Sequence, residues 1–141
     1  MTDVLIDTQF NDLIGTALAA RSKAYAPYSK FAVGAAVKCK SGAVFIGANV
    51  ENRSFGLTIC AERIAVGAAV AAGEQEFVAI AVTSDSDQPI VPCGACRQFL
   101  AEFNSDLTII SATVRGDRKI DNLSRLLPDP TRGILRDADP S

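Results

Sequence analysis

At 141 residues the chain is long enough for one domain that buries roughly two thirds of its unfolded surface. Hydrophobic residues make up 48% and charged residues 21%, with 10 Gly and 6 Pro, which excludes a disordered or fibrous protein. The net charge is −2 and the pI near 5.1, with no cluster of Lys and Arg. Gripping a nucleic-acid backbone takes a basic stripe, so no nucleic-acid partner is expected and a small neutral substrate fits better.

The start, Met1-Thr2-Asp3-Val4, has neither the basic stretch nor the apolar run of an export signal. Ala61 to Ala72 is the most apolar stretch, but Glu62 and Arg63 interrupt it, so no membrane span is expected. A cytoplasmic location follows from these readings. In that reducing compartment the 4 cysteines read as metal or redox chemistry before disulfides.

Phe10, Leu13, Ile14, Ala17 and Leu18 recur at helical spacing and predict a helix from about Asp7 to Tyr25. Ala26-Pro27 ends it, because proline disfavours helix at the preceding residue. Phe31 to Cys39 and Ala43 to Val50 read as two strands of a hairpin around Ser41-Gly42, and Glu51 to Leu57 as a polar loop. A helix capped by Thr58 is predicted from Ile59 to Ala72, with Gly73 as its stop. Phe77 to Thr83 is nearly all apolar, as in a strand buried on both faces. After a loop from Ser84 to Val91 come a helix over Cys93 to Phe103, a strand over Leu107 to Val114 and a short helix over Ile120 to Leu127. This α-β-β-α-β-α-β order predicts an α/β fold with a mixed sheet and helices on both faces.

The chemistry gathers in two places. Thr58-Ile59-Cys60-Ala61-Glu62-Arg63 is followed about thirty residues on by Pro92-Cys93-Gly94-Ala95-Cys96-Arg97, and the chain has no histidine. Catalytic zinc takes three protein ligands and keeps a fourth position open. Cys60, Cys93 and Cys96 supply three thiolates for one Zn²⁺ per chain, and helix N-termini favour the thiolate form. Zinc lowers the pKa of its bound water towards about 7. Three thiolates on Zn²⁺ leave a formal charge of −1, which Arg63 and Arg97 are placed to offset. Glu62 is the candidate proton carrier, work worth typically about 10² to 10⁴ in rate. Two other readings use fewer of these residues. A closed structural site, making the chain an interaction module, would take Cys39 as a fourth ligand and leave Glu62 without purpose. A thiol-disulfide centre at Cys93 and Cys96 would leave Cys60 unexplained.

The Cys-x-Glu and Pro-Cys-x-x-Cys pair is the pattern of the zinc deaminases. Ala26-Pro27-Tyr28-Ser29-Lys30-Phe31-Ala32-Val33-Gly34-Ala35-Ala36, Asn49-Val50-Glu51-Asn52 and Gln98 extend the match. From about Ala20 to Leu127 the chain resembles the small cytidine deaminases of the three-cysteine, free-nucleoside type. The resemblance implies a three-layer α/β/α fold around a mixed, roughly five-stranded sheet, as one domain over residues 1–141. Its core would span about 7–127, with 128–141 a loosely ordered tail.

It also implies hydrolytic deamination of cytidine or 2′-deoxycytidine to the uridine and ammonia, in pyrimidine salvage. Asn49 and Glu51 would hydrogen-bond the ribose hydroxyls and Phe31 would pack against the base. The N–H of Ala61 would hold the base carbonyl, and the C=O of Val91 would receive the exocyclic amine. A homotetramer with sites between subunits is implied, with a homodimer as the alternative. Two departures stand out. Arg53 and Phe55 replace a small residue and a tyrosine, and Asp129-Pro130-Thr131-Arg132-Gly133 replaces a Phe-Gly-Pro-like tail. Arg53 would favour a phosphate or acidic group, pair with a neighbouring carboxylate, or stay solvated. A modified cytosine nucleoside or cytosine-containing antibiotic is therefore the alternative substrate.

Overall fold

Five strands form one mixed sheet in the computed structural model, which describes residues 10–132, and helices lie on both of its faces. The elements are α1 (Asn11–Arg21), β1 (Val33–Cys39), β2 (Val44–Ala48), a 3₁₀ turn (Phe55–Leu57), α2 (Ala61–Ala71) and β3 (Phe77–Ser84). They continue with α3 (Gly94–Ala101), β4 (Thr108–Thr113), β5 (Arg118–Asn122) and α4 (Leu123–Leu126). The sheet order is β2-β1-β3-β4-β5. Only β3 and β4 run parallel, joined through α3; every other pair is antiparallel.

Alternation along the strands divides the core in two. Ala36, Ala79, Ala81, Ile110 and Ala112 face α1 and meet its Leu13, Ile14 and Ala17. Ala35, Val37, Ile80, Val82 and Ile109 face the other way and meet Ala61, Ala65, Val66 and Ala69 of α2, Leu100 of α3 and Leu123 of α4. The three-layer expectation holds, down to the number of strands.

Small residues set how closely the layers approach. A Cβ on Gly34 would lie 2.0 Å from the Ala17 carbonyl oxygen, and one on Gly47 2.4 Å from the Ala61 oxygen and the Ala65 nitrogen. Glycine at these two places lets α1 and α2 lie directly on the hairpin. At the far end of α2, Gly73 has φ +97. Its N–H donates to Val70 O at 2.9 Å and that of Glu74 to Ala69 O at 3.0 Å. This left-handed stop is the one expected from the sequence.

Three expectations change. Helix α1 ends at Arg21, before Tyr25, and the expected start at Asp7 lies outside the described residues. Residues 118–122 form β5, so the helix expected from Ile120 shrinks to Leu123–Leu126. Pairing of Asp121 with Ile109 and Ile120 with Ile110 completes the sheet edge and overrides local propensity. Cys60, not Thr58, is the N-cap of α2; the Thr58 hydroxyl instead accepts from Asn52 N at 3.1 Å. Of the expected tail, residues 128–132 are described and the rest lies outside.

Candidate active site

Cys60 and Cys93 stand at the N-caps of α2 and α3, and Cys96 lies in the first turn of α3. Their three Sγ atoms all lie within 4.8 Å of one another, and Cys60 Sγ is 3.8 Å from Cys93 Sγ. A tetrahedral Zn²⁺ with Zn–S bonds of about 2.3 Å holds its sulfurs about 3.8 Å apart. The donor set and spacing therefore fit zinc. Cys39 is not in this group; it is buried in the core between β1 and α2.

The Cys60 thiol is held towards its thiolate form. The Cys96 hydrogen bond, followed by those of Arg63 and Cys93, draws its pKa down to about 5 against the opposing effect of burial. Donating to Cys60, with burial added, pushes Cys96 the other way. Arg63 Nη2 reaches Cys60 Sγ at 3.7 Å and Thr58 O at 3.5 Å. Arg97, one residue past Cys96, instead donates to backbone carbonyls: Nε to Pro92 O at 2.7 Å and Nη1 to Leu126 O at 2.9 Å.

Glu62 sits in the first turn of α2 with only 5% of its surface exposed. Burial, ahead of every other influence, lifts its carboxyl to about 7. A carboxyl in that range can both take and return a proton at neutral pH. The N–H of the buried Ala61 is the first of the helix, where amides have no partner within the helix.

The candidate sugar residues approach from β2. Asn49 is 8% exposed, and its amide bridges Phe31 and Val33: Nδ2 donates to Phe31 O at 2.8 Å and Oδ1 accepts from Val33 N at 2.9 Å. An amide has a second N–H to offer. Glu51 Oε1 accepts from Tyr28 N at 3.0 Å and Ser29 N at 3.1 Å, while Oε2 accepts from the Ser29 hydroxyl. That hydroxyl bond, first among several, holds the Glu51 pKa below the usual carboxylate range. The same turn puts Lys30 at φ 60. Tyr28, Ser29, Glu51, Phe55 and Thr58 line a hollow of about 360 Å³ beside the sulfur cluster's helix. Phe31 is exposed, Val91 half-buried and Arg53 exposed.

Two features escaped the sequence reading. Ser29 orients Glu51, and a serine after Pro-Tyr was the available sign, since such hydroxyls bond locally in turns. Ile59 pairs with Val50, for which the sequence offers no sign.

Residues 8–112 match a family described as the cytidine and deoxycytidylate deaminase zinc-binding region, a span that holds Cys60, Cys93, Cys96 and Glu62. The chain belongs to the cytidine deaminase family. It is 49% identical to the cytidine deaminase of Halalkalibacterium halodurans over 117 residues, covering 82% of this chain and 89% of the relative. The cytidine deaminase of Mycobacterium tuberculosis is 43% identical over 123 residues, 87% of this chain and 90% of its own. A crystal structure of the Burkholderia pseudomallei cytidine deaminase superimposes with a TM-score of 0.83 at 47% identity, covering 93% of this chain and all of that one. For this family member the cysteine cluster is the site of one Zn²⁺ per chain.

Proposed function

We propose that the chain hydrolyses cytidine and 2′-deoxycytidine to uridine and 2′-deoxyuridine, releasing ammonia. One juxtaposition carries this reading: three sulfurs at zinc-binding distance with a buried carboxylate two residues from the first. Zinc held there supplies the Lewis acidity that makes water a nucleophile near neutral pH. Glu62 takes one proton from the attacking water and passes it to the ring nitrogen. It then takes the second proton from the new C4 hydroxyl and gives it to the amine, which leaves as ammonia while the C4 carbonyl forms. The Ala61 N–H, unpaired within its helix, holds the base carbonyl, and the Val91 carbonyl receives the amine. Phe31 packs on the base. Asn49 and Glu51, held in place by backbone groups, meet the sugar hydroxyls, so an analogue lacking a hydroxyl loses those bonds.

Arg63 offsets the negative charge of the thiolates through its contact with Cys60. Arg63→Ala is expected to slow turnover with zinc still bound; unchanged turnover contradicts the role. Large apolar side chains stand exposed in the 3₁₀ turn, one of them lining the hollow: Phe55 is 78% exposed and Leu57 64%. A homotetramer covering them, with sites shared between copies, is the assembly this favours. No helix among the described residues is long and apolar enough to cross a membrane, in keeping with a cytoplasmic enzyme.

The test is the ultraviolet absorbance change of cytidine with zinc-loaded protein, with Glu62→Ala as control. Loss of the cytidine band with ammonia release is expected, slowed by at least about 10² to 10⁴ in the variant. A zinc-loaded protein that leaves cytidine and deoxycytidine intact would reject the substrate and turn the search to modified cytosines.

A further inference from the structure

We propose that Arg97 is a positioning residue for the zinc ligands, acting as a clamp on backbone carbonyls and not as a charge beside the thiolates. The proposal rests on the reading of the cysteine cluster as a zinc centre.

The three ligands differ in how their backbones are held. Cys60 follows Ile59, which is paired to Val50, and opens the eleven-residue helix α2. Cys96 is buried within α3. Cys93 is exposed, and it follows residues 85–92, which contain no helix or strand. Its backbone has to be fixed from elsewhere.

The Arg97 side chain supplies this. The first bond of α3, from Arg97 N–H to Cys93 O at 2.9 Å, forms whatever residue stands at 97, but Arg97 Nε adds a bond to the preceding carbonyl, Pro92 O, at 2.7 Å. Proline at 92 has no N–H to give, and its side chain is fully buried. The peptide between Pro92 and Cys93 is thereby fixed relative to the helix that carries Cys96. Val91, whose carbonyl is assigned to the departing amine, is the next residue back along the same backbone.

The remaining contact ties this unit to a firm corner of the fold. Nη1 donates to Leu126 O at 2.9 Å, a carbonyl in the last turn of α4 that has no acceptor role within so short a helix. Helix α4 is itself anchored: Leu123 is buried with its N–H on Leu107 O at 2.8 Å, the Asn122 side chain caps Ser124 N, and Arg125 pairs with the buried Asp121 of β5. A path of direct contacts thus runs from β5 through α4 and Arg97 to the residue before Cys93. A guanidinium suits this role because its N–H groups diverge in a rigid plane, whereas lysine offers one nitrogen on a flexible stem. It is Arg63, on α2, whose guanidinium reaches a sulfur.

The test compares Arg97→Lys and Arg97→Ala with the unaltered, zinc-loaded protein. Zinc release to a chromophoric chelator is timed, and the thiolate-to-metal absorption bands of the Co²⁺-substituted forms are recorded, with far-ultraviolet circular dichroism confirming the fold. Outer residues that orient metal ligands are typically worth about 10- to 100-fold in metal affinity, so release is expected to quicken by about that factor. Lysine should be nearly as impaired as alanine, and the cobalt bands should move in both. Arg97→Lys matching the unaltered protein in release and spectrum would overturn the proposal in favour of a charge effect, even if the alanine variant does not fold. Unaltered protein that retains no zinc overturns the clamp and the zinc centre together. Cytidine turnover is not read, so failure of the clamp alone leaves the deaminase reading standing.

Discussion

Val50 and Ile59 exchange both backbone hydrogen bonds, each 2.9 Å long, as an isolated antiparallel pair. Val50 lies between Asn49 and Glu51, and Ile59 directly precedes Cys60. Tyr25 joins from the other side, its N–H on Asn49 O at 2.9 Å and its carbonyl accepting from Glu51 N at 2.8 Å. The candidate sugar residues and the first zinc ligand are therefore built on one small frame. Ile59→Pro removes the N–H that Val50 O accepts; Thr58, at φ −59 and ψ 133, already has the extended backbone a following proline requires. The lost bond costs about 1 kcal/mol net. Zinc content by metal analysis is expected to fall and KM for cytidine to rise, whereas normal values for both would show that the pair does not set the frame.

Two glycines should respond in opposite directions to the same added methyl group. Gly47→Ala drives a Cβ to 2.4 Å from backbone atoms of Ala61 and Ala65, so α2 must move away from the sheet and take Cys60 and Glu62 with it. Overpacking of this kind costs about 1–3 kcal/mol. Gly15, inside α1 and exposed, has nothing within 4 Å of the added Cβ. There alanine gains about 0.5–1 kcal/mol from helix propensity. Thermal melting should separate the pair, with Gly47→Ala below the unaltered protein and Gly15→Ala above it; the same sign for both would contradict the close approach.

The site was legible where its chemistry depends on residue type and close spacing. Cys60-x-Glu62 and Cys93-x-x-Cys96 each lie within one helical turn, so the sequence carries their arrangement directly. The long-range contacts were not legible. Arg118–Asn122, reading Arg-Lys-Ile-Asp-Asn, has almost none of the apolar character of a strand and becomes β5 only because β4 offers it an edge. Arg97 shows the same limit at the level of a single side chain. Its place beside Cys96 suggested a charge for the metal, but its hydrogen bonds run to Pro92 and to Leu126, twenty-nine positions away. A guanidinium finds carbonyls through the fold, and no local pattern marks which ones.

Cys39 separates a catalytic centre from a closed structural one. It is buried among Val37, Phe77 and Ala69, and burial, followed by the Glu74 carboxylate, raises its thiol pKa. Cys39→Ala is expected to keep one zinc per chain and normal turnover, with stability lower by roughly 1 kcal/mol for the small cavity. In the unaltered folded protein this thiol should resist alkylation at neutral pH, since the thiolate is the reactive form. Loss of zinc in Cys39→Ala would restore the four-cysteine reading.

Glu51 provides the pH-dependent test. Its folded pKa is lowered, the Ser29 hydroxyl bond being the largest cause, so its contribution to stability is present above the unfolded carboxylate value and is lost as pH falls through the folded value. What is lost is the anchoring of the Tyr28–Phe31 turn, since Tyr28 N and Ser29 N both donate to this carboxylate and Phe31 N donates to Ser29 Oγ. A carbon-13 titration of the glutamate side chains should give Glu51 a midpoint below the ordinary range of about 4.3. Ser29→Ala should move that midpoint upward and narrow the acid range over which the turn persists. On the proposed sugar contact of Glu51, the same variant should raise KM for cytidine more than it lowers kcat, because Glu51 loses the hydroxyl that orients it while Glu62 and the cysteines keep their places. A midpoint unmoved by Ser29→Ala would mean that the backbone N–H groups of Tyr28 and Ser29 hold the anion by themselves.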